Sequence, residues 1–143
     1  MGDLTRNLSW REVLRYSGAA SKEEMEPGMV KVVLEETAPM FQALREALGM
    51  PITVISGYRT PTQNRKCGGA RKSQHMLGRA LDMKCADMDR LYETANAMQY
   101  DGRLPKGGLS IYRRDDGTNR FVHVDCRGRR ARWGGGKRKG HLA

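Results

Sequence analysis

The sequence predicts an α+β fold, and three observations support this. Apolar residues recur at three- and four-residue steps over 28–48, a pattern typical of a helix packed on one side. Short strand-like runs follow at 51–57 and 79–85. Two more runs flank a strong Asp-Gly turn signal between 107 and 126. Helices first, then short strands with one helix among them, indicate the α+β class, and 143 residues are enough for one domain.

The helical part of the chain should have two elements. Residues 1–26 mix a few apolar positions with SGAASKEE and predict a short helix followed by a loop. The helix over 28–48 should end at Gly49, because glycine readily adopts the left-handed conformation that closes a helix. Pro39 should kink this helix or split it in two, because proline has no backbone N–H to donate.

The strands should follow Gly49. PITVISG (51–57) is β-branched and predicts a strand, whereas 58–74 is polar, has little periodicity and predicts a long functional or disordered loop. RALDMKC (79–85) alternates and predicts a strand, after which Asp87 can cap a helix running to about Met98. GGLSIY and RFVHVDC predict the two strands of a closing hairpin.

The domain organisation expected from these elements is simple. Residues 1–133 should form one domain, with residues 1–26 as an N-terminal extension packed on it. Residues 134–143 are basic and glycine-rich, and they predict a disordered tail. Three cysteines without CxxC spacing predict reduced structural thiols of a cytoplasmic protein rather than a disulfide framework; these are Cys67, Cys85 and Cys126.

The charge of the chain is unevenly distributed. The net charge is +10, but residues 1–50 hold 6 Lys/Arg against 8 Asp/Glu, whereas residues 51–143 hold 20 against 8. So basic a region should attract a polyanion such as nucleic acid, anionic lipid or an anionic cell wall, and charge alone does not choose among them. There is no apolar run of transmembrane length and no basic-then-apolar leader, so we expect a soluble protein that is not exported by a signal peptide.

Two short stretches carry residues that could bind a metal. In FVHVD, strand alternation places His123 and Asp125 on one face, although a half-exposed edge strand is the simpler interpretation of this stretch alone. In SQHMLGRALD, a turn at Gly78 would place His75 in a loop above Asp82 in the following strand. Taken alone, the stretch is better interpreted as an ordinary polar loop, but only one histidine lies outside these two stretches.

Together the two stretches could supply a catalytic zinc site. Zinc accepts imidazole nitrogen and carboxylate oxygen, and catalytic sites have three protein ligands and one position for water. His75, Asp82 and His123 would be those ligands, and Asp125 would be left to accept the proton of the water. Arg59, in SGYRT, could bind a substrate carboxylate or carbonyl oxygen, although by spacing alone a surface arginine is the better interpretation.

These motifs resemble a known family. ISGYRTPTQNRKCGGARKSQHMLGRALDM followed by GGLSIYRRDDGTNRFVHVDCRGRRARW is similar to the zinc D-Ala-D-Ala carboxypeptidases and related peptidoglycan peptidases, which include many phage endolysins and share the fold of the hedgehog signalling domain. The resemblance covers roughly residues 27–133. It implies a hedgehog/DD-peptidase-like fold, a small antiparallel sheet with helices packed on one side, and it implies zinc as the cofactor.

The resemblance also implies site residues. The zinc ligands of the family fall on His75, Asp82 and His123, and its substrate-engaging arginine falls on Arg59. Ser73 would be a site neighbour that hydrogen-bonds the substrate or a ligand.

One departure concerns the catalytic acid. Several relatives carry this acid three residues before the late histidine, where this chain has Arg120, and others have a His-x-His pair, where this chain has His-Val-Asp. We therefore expect Asp125 to be the general base. Asp125 as an orienting partner, or as the ligand with His123 as the catalytic residue, stays open.

The function expected from the resemblance is zinc-dependent hydrolysis of amide bonds in peptidoglycan stem peptides by a monomeric phage endolysin. The protein would be made in the host cytoplasm and would act on the cell wall after release, without membrane insertion or a specific nucleic acid. The scissile bond stays open between D-Ala-D-Ala, L-Ala-D-Glu and cross-bridge cleavage. The alternatives are a small basic nucleic-acid-binding protein, suggested by the RGRRAR and KRK clusters, and a non-catalytic hedgehog-like zinc-binding module.

Overall fold

The protein is built around a five-stranded sheet. The computed structural model describes residues 2–134, so the predicted tail lies outside the described residues except for Gly134. The strands are β1 (Thr53–Ser56), β2 (Ala80–Lys84), β3 (Gly108–Arg113), β4 (Asn119–Asp125) and β5 (Ala131–Arg132). Their order is β1-β2-β4-β3-β5, with antiparallel pairs throughout except for a parallel pairing of β3 with β5. The predicted α+β class with a small, mainly antiparallel sheet is confirmed.

The helices precede the sheet or lie between its strands. They are α1 (Trp10–Val13), α2 (Pro27–Val32), α3 (Ala38–Leu48), α4 (Pro61–Lys66) and α5 (Met88–Asp101). Two short 3₁₀ turns span Lys22–Glu24 and Gln74–Leu77. No helix among residues 2–134 is both long enough and apolar enough to cross a lipid bilayer.

Pro39 divides the long helix as expected. A π-helical turn, Val33–Thr37, separates α2 from α3, and Pro39 occupies the first turn of α3, where its missing N–H is tolerated. The helix then ends at Gly49, which has a φ of 74°. The chain therefore passes the proline by widening one turn, and helical structure extends from Pro27 to Leu48.

The prediction of a long loop over 58–74 was wrong, because α4 lies within it. The Thr60 side chain accepts a hydrogen bond from the N–H of Gln63, and Pro61 occupies the first turn. A helix of six residues is too short to show an apolar repeat, so its capping residues were the available signal.

The two faces of the sheet differ in polarity. Leu81, Leu109, Val122 and Val124 are fully buried with apolar side chains of α3 and α5. The opposite face carries Asp82, Ser110, His123 and Asp125, which are also buried. Because β4 lies between β2 and β3, the interpretation of FVHVD as a half-exposed edge strand is wrong.

The N-terminal residues pack against the start of the 57–66 segment. Leu8 and Val13 are buried in the core. The backbone N–H of Tyr58 donates to the carbonyl of Val13 at 3.0 Å, and that of Thr60 donates to the carbonyl of Ser17 at 2.9 Å. These contacts hold the beginning of this segment beside the polar face of the sheet.

Candidate metal centre

His75 is positioned by the 3₁₀ turn that precedes β2. The Ser73 side chain caps this turn by accepting a hydrogen bond from the backbone N–H of His75 at 3.2 Å. Gly78 ends the turn with a φ of 75°, a conformation that favours glycine. A Cβ at Gly78 would also lie 3.1 Å from the Val33 side chain, a tight contact, so the backbone conformation is the main reason for glycine there.

The imidazole of His75 has one satisfied and one unsatisfied nitrogen. Nδ1 lies 2.6 Å from the Gly57 carbonyl oxygen and donates to it, which leaves a lone pair on Nε2. Nε2 is fully buried and lacks a hydrogen-bond partner among the described residues, although Asp82 Oδ1 lies 3.2 Å away. In metal-binding histidines one ring nitrogen typically donates its N–H to a carbonyl or carboxylate, and this leaves the lone pair of the other nitrogen for the metal. His75 has this arrangement.

Asp82 lies in β2 and faces the two histidines with one carboxylate oxygen. Its Oδ1 is 3.2 Å from His75 Nε2 and 3.0 Å from His123 Nδ1. Its Oδ2 accepts a hydrogen bond from Arg59 at 3.1 Å. The carboxylate is therefore held by Arg59 on one side, and Oδ1 is directed toward the histidines.

Arg59 is committed to contacts inside the protein. Besides Asp82, its guanidinium donates to Asn64 Oδ1 at 3.0 Å and to Ser56 Oγ at 3.2 Å, and the residue is only 2% exposed. Gly69 permits this packing, because a Cβ there would lie 2.0 Å from Asn64 Oδ1 and 2.8 Å from the Arg59 guanidinium. The arginine thus fixes the orientation of Asp82.

His123 lies between two carboxylates. Its Nδ1 faces Asp82, and its Nε2 donates to Asp125 Oδ2 at 2.8 Å. Asp125 in turn accepts hydrogen bonds from the Arg127 guanidinium, at 2.6 Å from Nη2, and from the backbone N–H groups of Gly108 and Arg127. Asp125 is fully buried, and both of its carboxylate oxygens accept hydrogen bonds from these neighbours.

One potential ligand atom from each of His75, Asp82 and His123 lies within 4.8 Å of the other two. Two imidazole nitrogens and one carboxylate oxygen are the donor set that zinc accepts in catalytic sites. The unsatisfied Nε2 of His75 would gain a partner from such an ion. The residues therefore fit a divalent metal.

The electrostatics of His75 and Asp82 suit metal ligands, whereas the pKa of His123 is shifted in the opposite direction. Burial lowers the pKa of His75 below its ordinary value, which favours the neutral imidazole that binds a cation. Burial alone would raise the pKa of Asp82, but the two neighbouring histidines outweigh it and hold that pKa well below the usual range. Burial likewise opposes protonation of His123, whereas its hydrogen bonds to Asp125 and Asp82 raise its pKa.

Further residues support His123 from the β3–β5 side of the sheet. The Trp133 ring lies 5.2 Å from the His123 ring, and the Arg127 guanidinium lies 5.2 Å from the Trp133 ring. Ser110 Oγ donates to the Trp133 carbonyl at 2.7 Å, and Trp133 Nε1 donates to the Tyr112 hydroxyl at 2.9 Å.

The sequence did not identify Asn64, Arg127 or Trp133 as site residues. The sequence features that could have identified them are the Gly-Gly pairs at 68–69 and 107–108, which pack against Asn64 and Arg127, and the Arg-Trp pair at 132–133. A Cβ at Gly108 would lie 2.4 Å from Asp125 Oδ2.

The structure thus brings together His75, Asp82, His123, Asp125 and Arg59. Ser73 is adjacent but buried, and its hydroxyl contacts the His75 backbone, so the expected contact between Ser73 and substrate stays a prediction. Arg59 as a substrate ligand likewise stays a prediction. The buried carboxylate of Asp125 favours the orienting role over that of a base.

A metal-binding group on the polar face of a sheet, held by buried residues from four different segments, is typical of a metalloenzyme. The sequence profile of the family described as Peptidase M15 matches residues 11–125, and the chain belongs to this family. The chain is also 35% identical over 78 residues to the zinc D-Ala-D-Ala carboxypeptidase of Streptomyces albus G. The match covers 54% of this chain and 31% of that protein, so the chain aligns with about a third of the length of this curated relative.

The predicted resemblance to this family is therefore confirmed. The assignment favours the peptidase over the nucleic-acid-binding interpretation.

Proposed function

We propose that this protein is a zinc-dependent peptidase that hydrolyses amide bonds in the stem peptides of peptidoglycan. The observation that carries the proposal is the buried group of His75, Asp82 and His123, in which His75 Nε2 has a lone pair and no hydrogen-bond partner. The name of the Streptomyces albus G relative, a zinc D-Ala-D-Ala carboxypeptidase, supports both the metal and the substrate class.

In this proposal each residue has a distinct task. His75 Nε2, one oxygen of Asp82 and His123 Nδ1 would hold the ion. Bound zinc lowers the pKa of a water ligand and polarises a carbonyl group. Arg59 keeps Asp82 Oδ1 directed toward the histidines through its bond to Oδ2. The Gly57 carbonyl keeps the proton of His75 on Nδ1.

Asp125 would act as a positioning residue. Its hydrogen bond to His123 Nε2 keeps the proton of that ring on Nε2 and leaves Nδ1 to the metal. This role replaces the general base expected from the sequence, because Arg127, Gly108 and His123 already use the oxygens of Asp125. It also makes His123, and not Asp125, the third ligand.

We further propose that the protein is a monomeric phage endolysin, made in the host cytoplasm and acting on the wall after release. The resemblance of the sequence to endolysins supports this role. The excess of Lys and Arg over 51–143 would favour contact with anionic wall polymers.

The test combines metal analysis with mass analysis of reaction products. Purified protein should contain about one zinc per chain, and it should release stem-peptide fragments from peptidoglycan, whose masses identify the bond. Removal of zinc by a chelator should abolish the release, and added zinc should restore it. If His75→Ala keeps both the metal and the activity, the site is wrong. Bound zinc without turnover of any muropeptide would instead indicate a binding module.

A further inference from the structure

A cleft in the N-terminal segment contains residues to which the proposed mechanism gives no task. We call it the N-terminal cleft. Its volume is about 690 Å³, within the range of about 300–1,000 Å³ that small-molecule sites occupy. All of its lining residues come from positions 3–23, so no residue of the candidate metal centre is among them.

Tyr16 connects the N-terminal cleft to the candidate metal centre. The same residue lines a smaller cleft of about 220 Å³, whose lining also includes Asp82 and Arg59. We call this one the metal cleft. A ligand that occupies one cleft and extends past Tyr16 therefore enters the other. The two clefts can hold two parts of a single molecule.

Backbone contacts fix the N-terminal cleft relative to the metal centre. Gly57 packs directly on the end of α1, since a Cβ there would lie 2.6 Å from the Val13 carbonyl oxygen. The carbonyl of Gly57 in turn accepts the hydrogen bond from His75 Nδ1. The carbonyl of Ser17 accepts a hydrogen bond from the N–H of Thr60 at 2.9 Å. One short segment, 57–60, therefore contacts both the metal-binding group and the chain that forms the N-terminal cleft.

Tyr16 is exposed in a strained backbone conformation at the point where the two clefts meet. Its φ is 57°, in the left-handed region that residues with a Cβ rarely adopt, and the residue is 76% exposed. The next residue, Ser17, is buried and anchored through its hydroxyl to the backbone of Ala19. Strain of this kind persists only where the surrounding structure holds it, and it is concentrated at functional sites. The fold thus keeps an aromatic ring between the two clefts.

The charges of the N-terminal cleft fit a ligand with many polar groups and no strong net charge. Its lining has three cations, Arg11, Arg15 and Lys22, and two carboxylates, Asp3 and Glu23. Among residues 2–134, the side chains of Arg11, Arg15 and Glu23 form no ion pair or hydrogen bond. So mixed a lining does not favour a polyanion. Hydroxyl and amide groups, in contrast, can accept from a guanidinium and donate to a carboxylate.

The N-terminal cleft also has apolar surface. Trp10, Leu14, Ala19 and Ala20 belong to its lining, and the ring of Tyr16 lies at its junction with the metal cleft. A sugar ring has C–H groups on its faces and hydroxyl groups around its edge. It can therefore pack on aromatic and aliphatic side chains while its edge forms hydrogen bonds. This combination of apolar surface and unpaired polar groups is suited to a sugar.

From this geometry we infer that the N-terminal cleft binds the glycan of peptidoglycan, as an N-acetylated amino-sugar disaccharide to which the stem peptide is still attached. The inference rests on the proposed peptidase function, in which the stem peptide occupies the metal cleft. An amide bond joins the stem peptide to its sugar, so the sugar and the peptide of one substrate would lie on opposite sides of Tyr16. The protein would therefore prefer stem peptides attached to glycan over free stem peptides.

The experiment compares the same stem peptide with and without its sugar. One substrate carries the disaccharide of N-acetylglucosamine and N-acetylmuramic acid, and the other carries an acetyl group in its place. For the zinc-loaded wild-type protein, KM for the glycopeptide should be lower by about tenfold to a hundredfold, which is what one hydrogen bond to a charged group supplies. Equal KM values for the two substrates would overturn the glycan site.

Two variants test the residues that form the N-terminal cleft. Tyr16→Asn removes the ring but keeps a residue type that tolerates a positive φ. Arg15→Gln removes one unpaired guanidinium. In both variants the ratio of the two KM values should fall toward one. If both kept the wild-type ratio, the sugar would not lie in this cleft.

The matched controls are Tyr100→Asn and Arg90→Gln. Both residues are exposed in α5, and neither lines either cleft. The two control variants should keep the wild-type preference for the glycopeptide. An equal loss of preference in the controls would assign the effect to exposed aromatic surface or to net charge, and it would overturn the glycan site.

A binding measurement separates this inference from the proposed function. The disaccharide alone, with its lactyl carboxylate blocked as an uncharged amide, is titrated into the protein in a calorimeter. Binding that is lost in Tyr16→Asn, without hydrolysis of any stem peptide, would refute the peptidase and keep the glycan site. Hydrolysis of stem peptides with no binding of the disaccharide would keep the peptidase and refute the glycan site. If a second, cross-linked stem peptide without sugar lowered KM as much as the disaccharide does, the cleft would be a peptide site instead.

Discussion

Asp125 is the residue whose expected role is most affected by the contacts in the structure, and its orienting role is our proposal. It accepts hydrogen bonds from Arg127, Gly108 and His123, and it touches the metal-binding group only through His123. A general base must reach the proton that it removes, whereas an orienting residue must reach only the ligand. The two roles therefore differ in what they do to metal binding.

We expect Asp125→Asn to weaken zinc binding by about tenfold to a hundredfold, the usual effect of losing the hydrogen-bond partner of a ligand histidine. The physical reason is that an amide no longer fixes the proton of His123 on Nε2. Competition with a chelator of known affinity measures the change. Wild-type zinc affinity together with complete loss of hydrolysis would restore Asp125 as the base.

A substitution at Gly69 tests the contacts that hold Arg59 against Asp82. A methyl group there would collide with Asn64 Oδ1 and the Arg59 guanidinium, so Gly69→Ala should displace the arginine from Asp82. We expect a loss of stability of about 1–3 kcal/mol, as for other overpacked positions, with weaker zinc binding. Thermal unfolding and chelator competition measure both effects.

The control for this prediction is Gly28→Ala. A Cβ at Gly28, in α2, would meet no atom within 4 Å, and alanine is the better helix former. Gly28→Ala should leave zinc affinity unchanged and should not lower the melting temperature. If the two variants had the same zinc affinity and the same melting temperature, the close contact at Gly69 would contribute nothing to stability or to metal binding.

Among the structural elements, the long helix is linked to the turn that carries His75. Thr37, in the π-helical turn, is buried and donates a hydrogen bond to the Gly78 carbonyl at 2.6 Å. Gly78 ends the 3₁₀ turn of His75. The turn that widens the helix before Pro39 thus also provides a contact to the site.

We expect Thr37→Val to cost about 1–3 kcal/mol, because the isosteric side chain leaves the buried Gly78 carbonyl without its donor. Denaturant unfolding measures this loss. Thr53→Val is the matched control, since Thr53 is exposed in β1 and valine is as good a strand former. A loss of similar size in both variants would contradict the proposed link.

The extent to which elements could be predicted depended on their length. The 28–48 helix, the 88–101 helix and the hairpin have clear periodicity or turn chemistry, and all three are present. The six-residue α4 and the two-residue β5 are too short for any repeat. The position of β4 in the middle of the sheet is a property of strand pairing, which one strand's own residues do not specify.

The metal-binding group was predictable for a different reason. The SQHMLGRALD and FVHVD motifs contain the residue types that zinc accepts, and their order along the chain resembles that of a known family. Which nitrogen of His123 faces the cluster, and which groups already occupy Asp125 and Arg59, depend on the packing of distant segments. That information appears only once the segments are assembled, and the roles proposed for Asp125 and Arg59 rest on it.

At the scale of the whole molecule, the metal should contribute to stability. A ligand that binds only the folded state stabilises it by an amount that grows with its concentration, about 4 kcal/mol at a thousand times the dissociation constant. We therefore expect a chelator to lower the melting temperature and added zinc to raise it. His75→Ala should lose this zinc-dependent shift, and scanning calorimetry measures it. A melting temperature that ignores zinc would argue against binding at this site.

The order of strands in the sheet has a consequence for the time at which the protein can acquire its metal. His75 and Asp82 are neighbours along the chain, but His123 follows Asp82 by 41 residues and lies on the strand inserted between β2 and β3. During synthesis a ribosome must therefore complete the hairpin before the third ligand exists. Until then the nascent chain would carry at most a weak two-ligand site, and firm loading would have to wait for the hairpin.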